Sequence, residues 1–293
     1  MEIVIIPILN KKVSLIQGPP ILLSNDYTIE KITDDEFSAF FRNASDEIKA
    51  SIDINSTKCI KVKCVNPDKE TIKSVRTKAV FTLNIFSDPN PIVTSWAGHL
   101  IGDKKINLKG ITDFESLAAF HKISSKSFKL IAKTKRETII QFFQIVEKSV
   151  TSNSSVLFTM EKYNSSLLRD DFFDRLLDAT ICFETMMPGN TELIYRLSQN
   201  VSFIVGTNPT ERLSIFENMK KLYDVRSKLV HGDLKSKGTD KKIEEVRNNW
   251  STFEKYLKSS VTYYLLFMSQ NKKDDWENHL KEIVIGTQNK IVL

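Results

Sequence analysis

Apolar residues change their spacing along this chain. Over roughly the first 110 residues they form short β-branched or aromatic runs: EIVIIPIL, KVSLI, YTIEKI, KCIKVKCV, KAVFTLNIF, PIVTSWAGHLI and KINLKGI. Such runs suit a half-buried pleated surface. Turn-forming clusters separate them at Gly18-Pro19-Pro20, Ser24-Asn25-Asp26, Asn66-Pro67-Asp68 and Asp88-Pro89-Asn90-Pro91. One helical insertion, DDEFSAFFRNASDEIKASI, interrupts the series and carries Phe37, Phe40 and Phe41 on one side. The pattern predicts a β-rich sandwich or barrel-like module.

From about Phe114 onward the period becomes helical. RETIIQFFQIVEKSV carries Ile139, Phe142, Phe143, Val146 and Val150 on one stripe; SSVLFTMEKYNSSLL carries Val156, Met160, Tyr163 and Leu167, with Ser154 or Ser155 as N-cap. DDFFDRLLDATICFETMM follows, acidic at its start and stopped by Pro188-Gly189-Asn190. TELIYRLSQNVSFIV and the long ERLSIFENMKKLYDVRSKLVH come next. A final helix, KIEEVRNNWSTFEKYLKSSVTYYLLFM, is striped by Ile243, Val246, Trp250, Phe253, Leu257 and Val261. The fold class is therefore α+β in two domains. A β-rich domain spans 1–125, a helical bundle with mostly antiparallel neighbours spans 126–275, and a C-terminal extension covers 276–293. The junction is expected within Ser124 to Ser127.

Composition narrows the setting. No apolar run approaches the ~18 residues a membrane helix needs; the longest, Val261 to Met268, is broken by tyrosines. The opening MEIVIIPILN lacks a basic flank and reads as a strand, so no membrane partner is expected. Cys59 and Cys64 lie five residues apart in an alternating run and face opposite ways, and Cys182 sits in an apolar helix. These three cysteines form neither a disulfide framework nor a metal clamp, which points to the reducing cytoplasm. His99, His121 and His279 have no ligand spacing, so neither metal nor cofactor is expected. With 42 Lys and Arg against 36 Asp and Glu, the net charge of +6 permits a polyanionic partner.

The helical half resembles a known family. DRLLDATICFETMM, then TELIYRLSQNVSFIV, then ERLSIFENMKKLYDVRSKLVHG is similar to the Apea-like branch of the HEPN domains. In that branch a helix with an acidic residue in an apolar setting precedes an "EL-x-x-R-L" helix and one ending in "LYD-x-RSK-x-VHG". The match is most specific over Val156 to Asp233, and the β-rich half lies outside it. The resemblance implies an all-helical, commonly dimeric module, and bacterial antiviral-defence and toxin systems are its usual setting. Its Arg/His motif serves there as a metal-independent endoribonuclease site. Other members only bind RNA, nucleotide or a protein partner.

The residues support that chemistry. RNA cleavage without metal needs a base for the ribose 2′-hydroxyl, a cation for the phosphorane and an acid for the leaving oxygen. Histidine exchanges protons in both directions near neutral pH, and arginine offers a permanent planar fork for phosphate. Arg226 and His231 supply these groups. Five residues apart on a helix they stand about 140° from each other, so they converge only if His231 leaves the spiral. Gly232 suits a left-handed C′ position that ends the helix there. One histidine serves one proton transfer at a time, so a homodimer through the helical domain is expected to join two such ends. Glu184, on the apolar line Phe173, Leu177 and Ile181, needs a partner, and Arg226 is the candidate.

Lys228 and the loop residues Lys235, Lys237, Lys241 and Lys242 are candidate phosphate contacts. Asp174 and Asp178 are expected on the opposite rim, bonded to Arg175 or Arg196. The plainer alternative makes Arg226 a surface salt bridge and His231 a C-cap. The resemblance implies RNA as the partner and, by analogy, a regulatory or sensing role for the 1–125 domain, with a phage-derived or cellular trigger.

Overall fold

The computed structural model describes residues 2–8, 20–40, 58–65, 68–88, 98–101, 105–107, 129–130, 136–187, 192–233 and 238–287. The chain divides into two compact units, Met1–Gln144 and Ile145–Leu293, and its architecture is α+β. The boundary falls inside one helix and not in the 124–127 stretch, which lies outside the described residues.

In the first unit, strand β1 (Glu2–Ile8) pairs antiparallel with β4 (Lys58–Cys64) on one side and with β6 (Gly98–Ile101) on the other. Strands β2 (Ile21–Leu22), β3 (Tyr27–Lys31) and β7 (Lys105–Asn107) complete an antiparallel sheet in the order β2-β3-β4-β1-β6-β7. The register places Val4 opposite Val62 and Ile6 opposite Ile60. Period-two alternation then sends Val4, Ile6, Ile8, Ile29, Ile60 and Val62 into one core. Cys59 is fully buried on the other face, so the two cysteines of β4 do point apart. There Lys61 lies between Glu30 and Glu36, at 2.6 and 2.8 Å. Glu36 belongs to α1 (Asp34–Phe40) and closes a reciprocal cap with Thr33. Strands β5 (Ser87–Asp88) and β8 (Lys129–Leu130) form a separate pair.

Two sequence expectations fail here. KAVFTLNIF is not a strand but the end of helix α2, Lys69–Phe86. The Asp68 carboxylate accepts the Thr71 N–H at 2.7 Å and starts that helix, so Asp68 acts as a cap rather than as part of a hairpin turn. Ile72, Val75, Ala79, Leu83 and Phe86 then recur at helical spacing and pack on the sheet. A helix therefore covers the face that a second sheet would occupy in a sandwich. KVSLI, the tip at Asp88-Pro89-Asn90-Pro91 beyond its first residue, and the insertion past Phe40 lie outside the described residues.

Helix α3 (Arg136–Ser152) contributes Ile139 and Phe143 to the first unit's core, with the Phe143 ring 4.7 Å from that of Tyr27. The second unit continues through α4 (Ser155–Leu168), α5 (Phe172–Met186), α6 (Leu193–Val205), α7 (Pro209–Val230), α8 (Thr239–Asn248), α9 (Trp250–Gln270) and α10 (Trp276–Ile285). Ser154 is the N-cap of α4, as expected, but makes no side-chain cap bond; the Asn153 side-chain oxygen accepts the Ser155 N–H at 3.0 Å instead. Helix α4 packs on α5, and α6 on α7; α9, buried all round from Ser260 to Met268, runs against α5 and α6. That burial explains the apolar run. Among the described residues no helix is long and apolar enough to cross a membrane.

The last predicted helix is two. It breaks at Asn249 (φ −97°, ψ 12°), whose amide nitrogen donates to Glu245 O at 2.8 Å. A short amide that bonds the preceding turn competes with helix continuation. Residues 276–285, set apart by pattern as an extension, dock on the bundle: Trp276 donates to Met186 O at 2.6 Å, and buried His279 meets the Tyr263 hydroxyl at 2.8 Å.

Candidate functional site

Helix α7 carries the candidate motif. Pro209 occupies its first turn, and the Asn208 side chain accepts the Glu211 N–H at 2.9 Å. Its inner line of Ile215, Met219, Leu222, Tyr223 and Val225 is buried, and Arg226 follows directly. Helix α5 presents the facing line. Its cap, Asp171, accepts from Phe173 and Asp174, and Glu184 lies in its last turn.

Two rungs join these helices. One turn before each charged residue, the Tyr223 hydroxyl donates to Thr180 O at 3.3 Å. In the second rung Arg226 Nη2 stands 3.1 Å from Glu184 Oε1. The pair is in ionic contact but poorly aligned, because Glu184 Oε1 and Arg226 Nε are both sealed from solvent without a hydrogen-bond partner among the described residues. Since the side chains are 23% and 27% exposed, their accessible surface belongs to the remaining atoms. Burial, and then the negative charge of Glu184, push the Tyr223 phenol well above its ordinary range. Sequence reasoning overlooked Tyr223; its signal was the matching three- and four-residue steps from Tyr223 to Arg226 and from Thr180 to Glu184.

At the helix end, the Asp233 N–H bonds Lys228 O at 2.7 Å and the Gly232 N–H bonds Leu229 O at 3.3 Å. With Gly232 at φ +74° this is a Schellman cap, as its glycine predicts. His231 is the C-cap, but its own N–H still donates to Ser227 O at 3.0 Å. The helix ends at Val230 as expected, with His231 (φ −89°, ψ 2°) still tied to the last turn through that N–H. The imidazole stays on the helical screw, about 140° round from Arg226. It is exposed, and nothing among the described residues bonds it. Glu184 and Arg226 are thus brought together, while helical geometry offers His231 from another side of the same helix end.

Lys228 is engaged rather than free: its ammonium donates to Thr239 Oγ1 at 3.1 Å and lies 3.7 Å from Asp224, which also receives Lys242 at 2.5 Å. Lys235 and Lys237 lie outside the described residues. Asp178 departs from expectation. It is buried within the bundle and holds Lys162 at 2.7 Å and Arg169 at 2.9 Å, because α4 crosses α5 there. Arg175 instead donates to Arg169 O, and Arg196 meets Glu277 at 3.5 Å. Among the described residues no three His, Cys, Asp or Glu side chains are grouped to hold a metal ion. No protein-family model, curated protein or solved structure matches this chain.

Proposed function

We propose that this chain is a metal-independent endoribonuclease of the HEPN type, working as a homodimer in antiviral defence or toxin-like growth arrest. The single observation that carries the reading is the arrangement on α7. A guanidinium held by Glu184 and an exposed, unbonded imidazole lie within a turn and a half of one helix end. Arg226 places permanent positive charge where the phosphorane develops. His231 removes the 2′-hydroxyl proton and returns a proton to the departing 5′-oxygen. Glu184 holds the guanidinium in place through its ionic contact. Because the two reagents of one chain stand apart, each working site takes Arg226 and Glu184 from one chain and His231 from its partner. The first unit supplies the sensing function and answers a phage-derived or cellular trigger.

A second reading has its own support. Arg226 is neutralised by Glu184 and His231 ends its helix, which suits a non-catalytic module that grips RNA, nucleotide or a protein partner. Purified protein incubated with total RNA separates the two. Cleavage that persists in EDTA, leaves 2′,3′-cyclic phosphate ends and disappears in Arg226→Ala and His231→Ala supports the nuclease. Intact RNA in every lane leaves the binder.

A further inference from the structure

The two serines of α6 are satisfied internally: Ser198 Oγ donates to Ile194 O and Ser202 Oγ to Gln199 O, both at 2.7 Å. Asn200, on the same helix, is only 8% exposed, yet its amide has no hydrogen-bond partner among the described residues. An asparagine amide offers two donors and a carbonyl acceptor, and a ligand in the groove could engage them where the protein does not. This one faces a groove of about 360 Å³ between α6 and α10, near the small end of the range for ligand pockets.

The rest of the groove has a consistent chemistry. Arg196 from α6 and Lys281 from α10 both reach Glu277, at 3.5 and 3.1 Å, so two cations face one carboxylate. One formal positive charge is left over. Leu280 and Ile285 supply an apolar wall. A concave site with an apolar wall, one amide lining it and a cationic rim is what recognition of a small amphipathic anion requires.

We propose that this groove binds a small organic anion. Its apolar face lies on Leu280 and Ile285, an edge carrying a donor and an acceptor meets Asn200, and a phosphate or carboxylate sits between Arg196 and Lys281. The anion replaces Glu277 as the partner of one cation, so binding weakens as salt rises. None of these residues belongs to the Glu184, Arg226 and His231 set, so this binding and RNA cleavage succeed or fail separately.

Adenosine 5′-monophosphate and hippurate carry the three features, one with a phosphate and the other with a carboxylate. The intact chain is titrated with each by isothermal calorimetry and by tryptophan fluorescence, Trp276 being the buried neighbour of Glu277 in α10. The expected result is saturable binding of at least one probe, weakened about tenfold in Lys281→Glu and in Asn200→Leu, the loss of one charge-assisted or buried hydrogen bond each. Binding of one probe alone assigns the anion as phosphate or carboxylate. Circular dichroism checks folding, and Lys281, with a side chain 59% exposed, is the safer variant. Failure of both probes to saturate at millimolar concentration, or wild-type affinity in both variants, overturns the proposal.

Discussion

Removing either partner of the Arg226–Glu184 contact tests whether the two helices are tied there. Exposed ion pairs contribute about 0–1 kcal/mol, whereas stripping one partner from a sealed pair costs about 3–5 kcal/mol. At 27% and 23% exposure this pair lies between those limits. A separation of 3.1 Å and an effective dielectric of about 40 give roughly 2–3 kcal/mol of attraction before desolvation is subtracted. The unaligned Glu184 Oε1 and Arg226 Nε lower the net value further, so a coupling of about 1–2 kcal/mol is expected. Urea unfolding of wild type, Arg226→Ala, Glu184→Ala and the double variant measures it directly. Each single variant should lose about 2 kcal/mol, or roughly 4–8 °C for a unit of this size, and the double variant should lose less than the sum. Additivity within about 0.3 kcal/mol would show that the charges do not interact and that Glu184 does not position Arg226.

Gly232→Ala has open space for its Cβ but φ +74°, so it should cost about 1 kcal/mol from backbone strain alone, and Gly232→Asn less, by thermal denaturation. Asp178→Ala leaves Lys162 and Arg169 without their carboxylate and should cost about 2–3 kcal/mol in urea; Asp178→Asn, which keeps a hydrogen-bond acceptor, should cost less. Burial holds the phenols of Tyr163, Tyr223 and Tyr264 above their ordinary 10.0. Groups raised on folding stabilise fully below their unfolded value and lose that contribution above it, so the urea midpoint should fall as pH passes about 10. A midpoint unchanged to pH ~11 refutes that account.

What could be seen in the sequence depended on how far apart the deciding partners lay. Strands β1, β3 and β4 showed themselves because one sheet face is packed and side chains alternate. Helix α2 did not, because a window around KAVFTLNIF holds β-branched residues while its deciding signal, the Asp68 cap, lies outside that window. The Glu184–Arg226 meeting was legible because each charge closes an inward helical line, which leaves only the facing helix to answer it. The Asp178 cluster was not, since its partners sit on α4 and just beyond it, and no periodicity in α5 reveals that crossing.

The place of His231 was the least legible point and has the largest consequence. Glycine at 232 signals the stop, but whether the preceding residue leaves the spiral depends on one hydrogen bond, His231 N–H to Ser227 O. With that bond made, the imidazole is carried away from Arg226 of its own chain, and the proposed chemistry must borrow across a two-fold axis. Arg226→Ala and His231→Ala, each inactive alone, then complement each other. In an equimolar mixture half the dimers are mixed, and each mixed dimer has one site with both reagents intact, so about a quarter of wild-type cleavage returns. A site closed within one chain stays silent in the same mixture, because neither variant holds both groups; a blank there, with exchange of subunits verified, rules out the shared site.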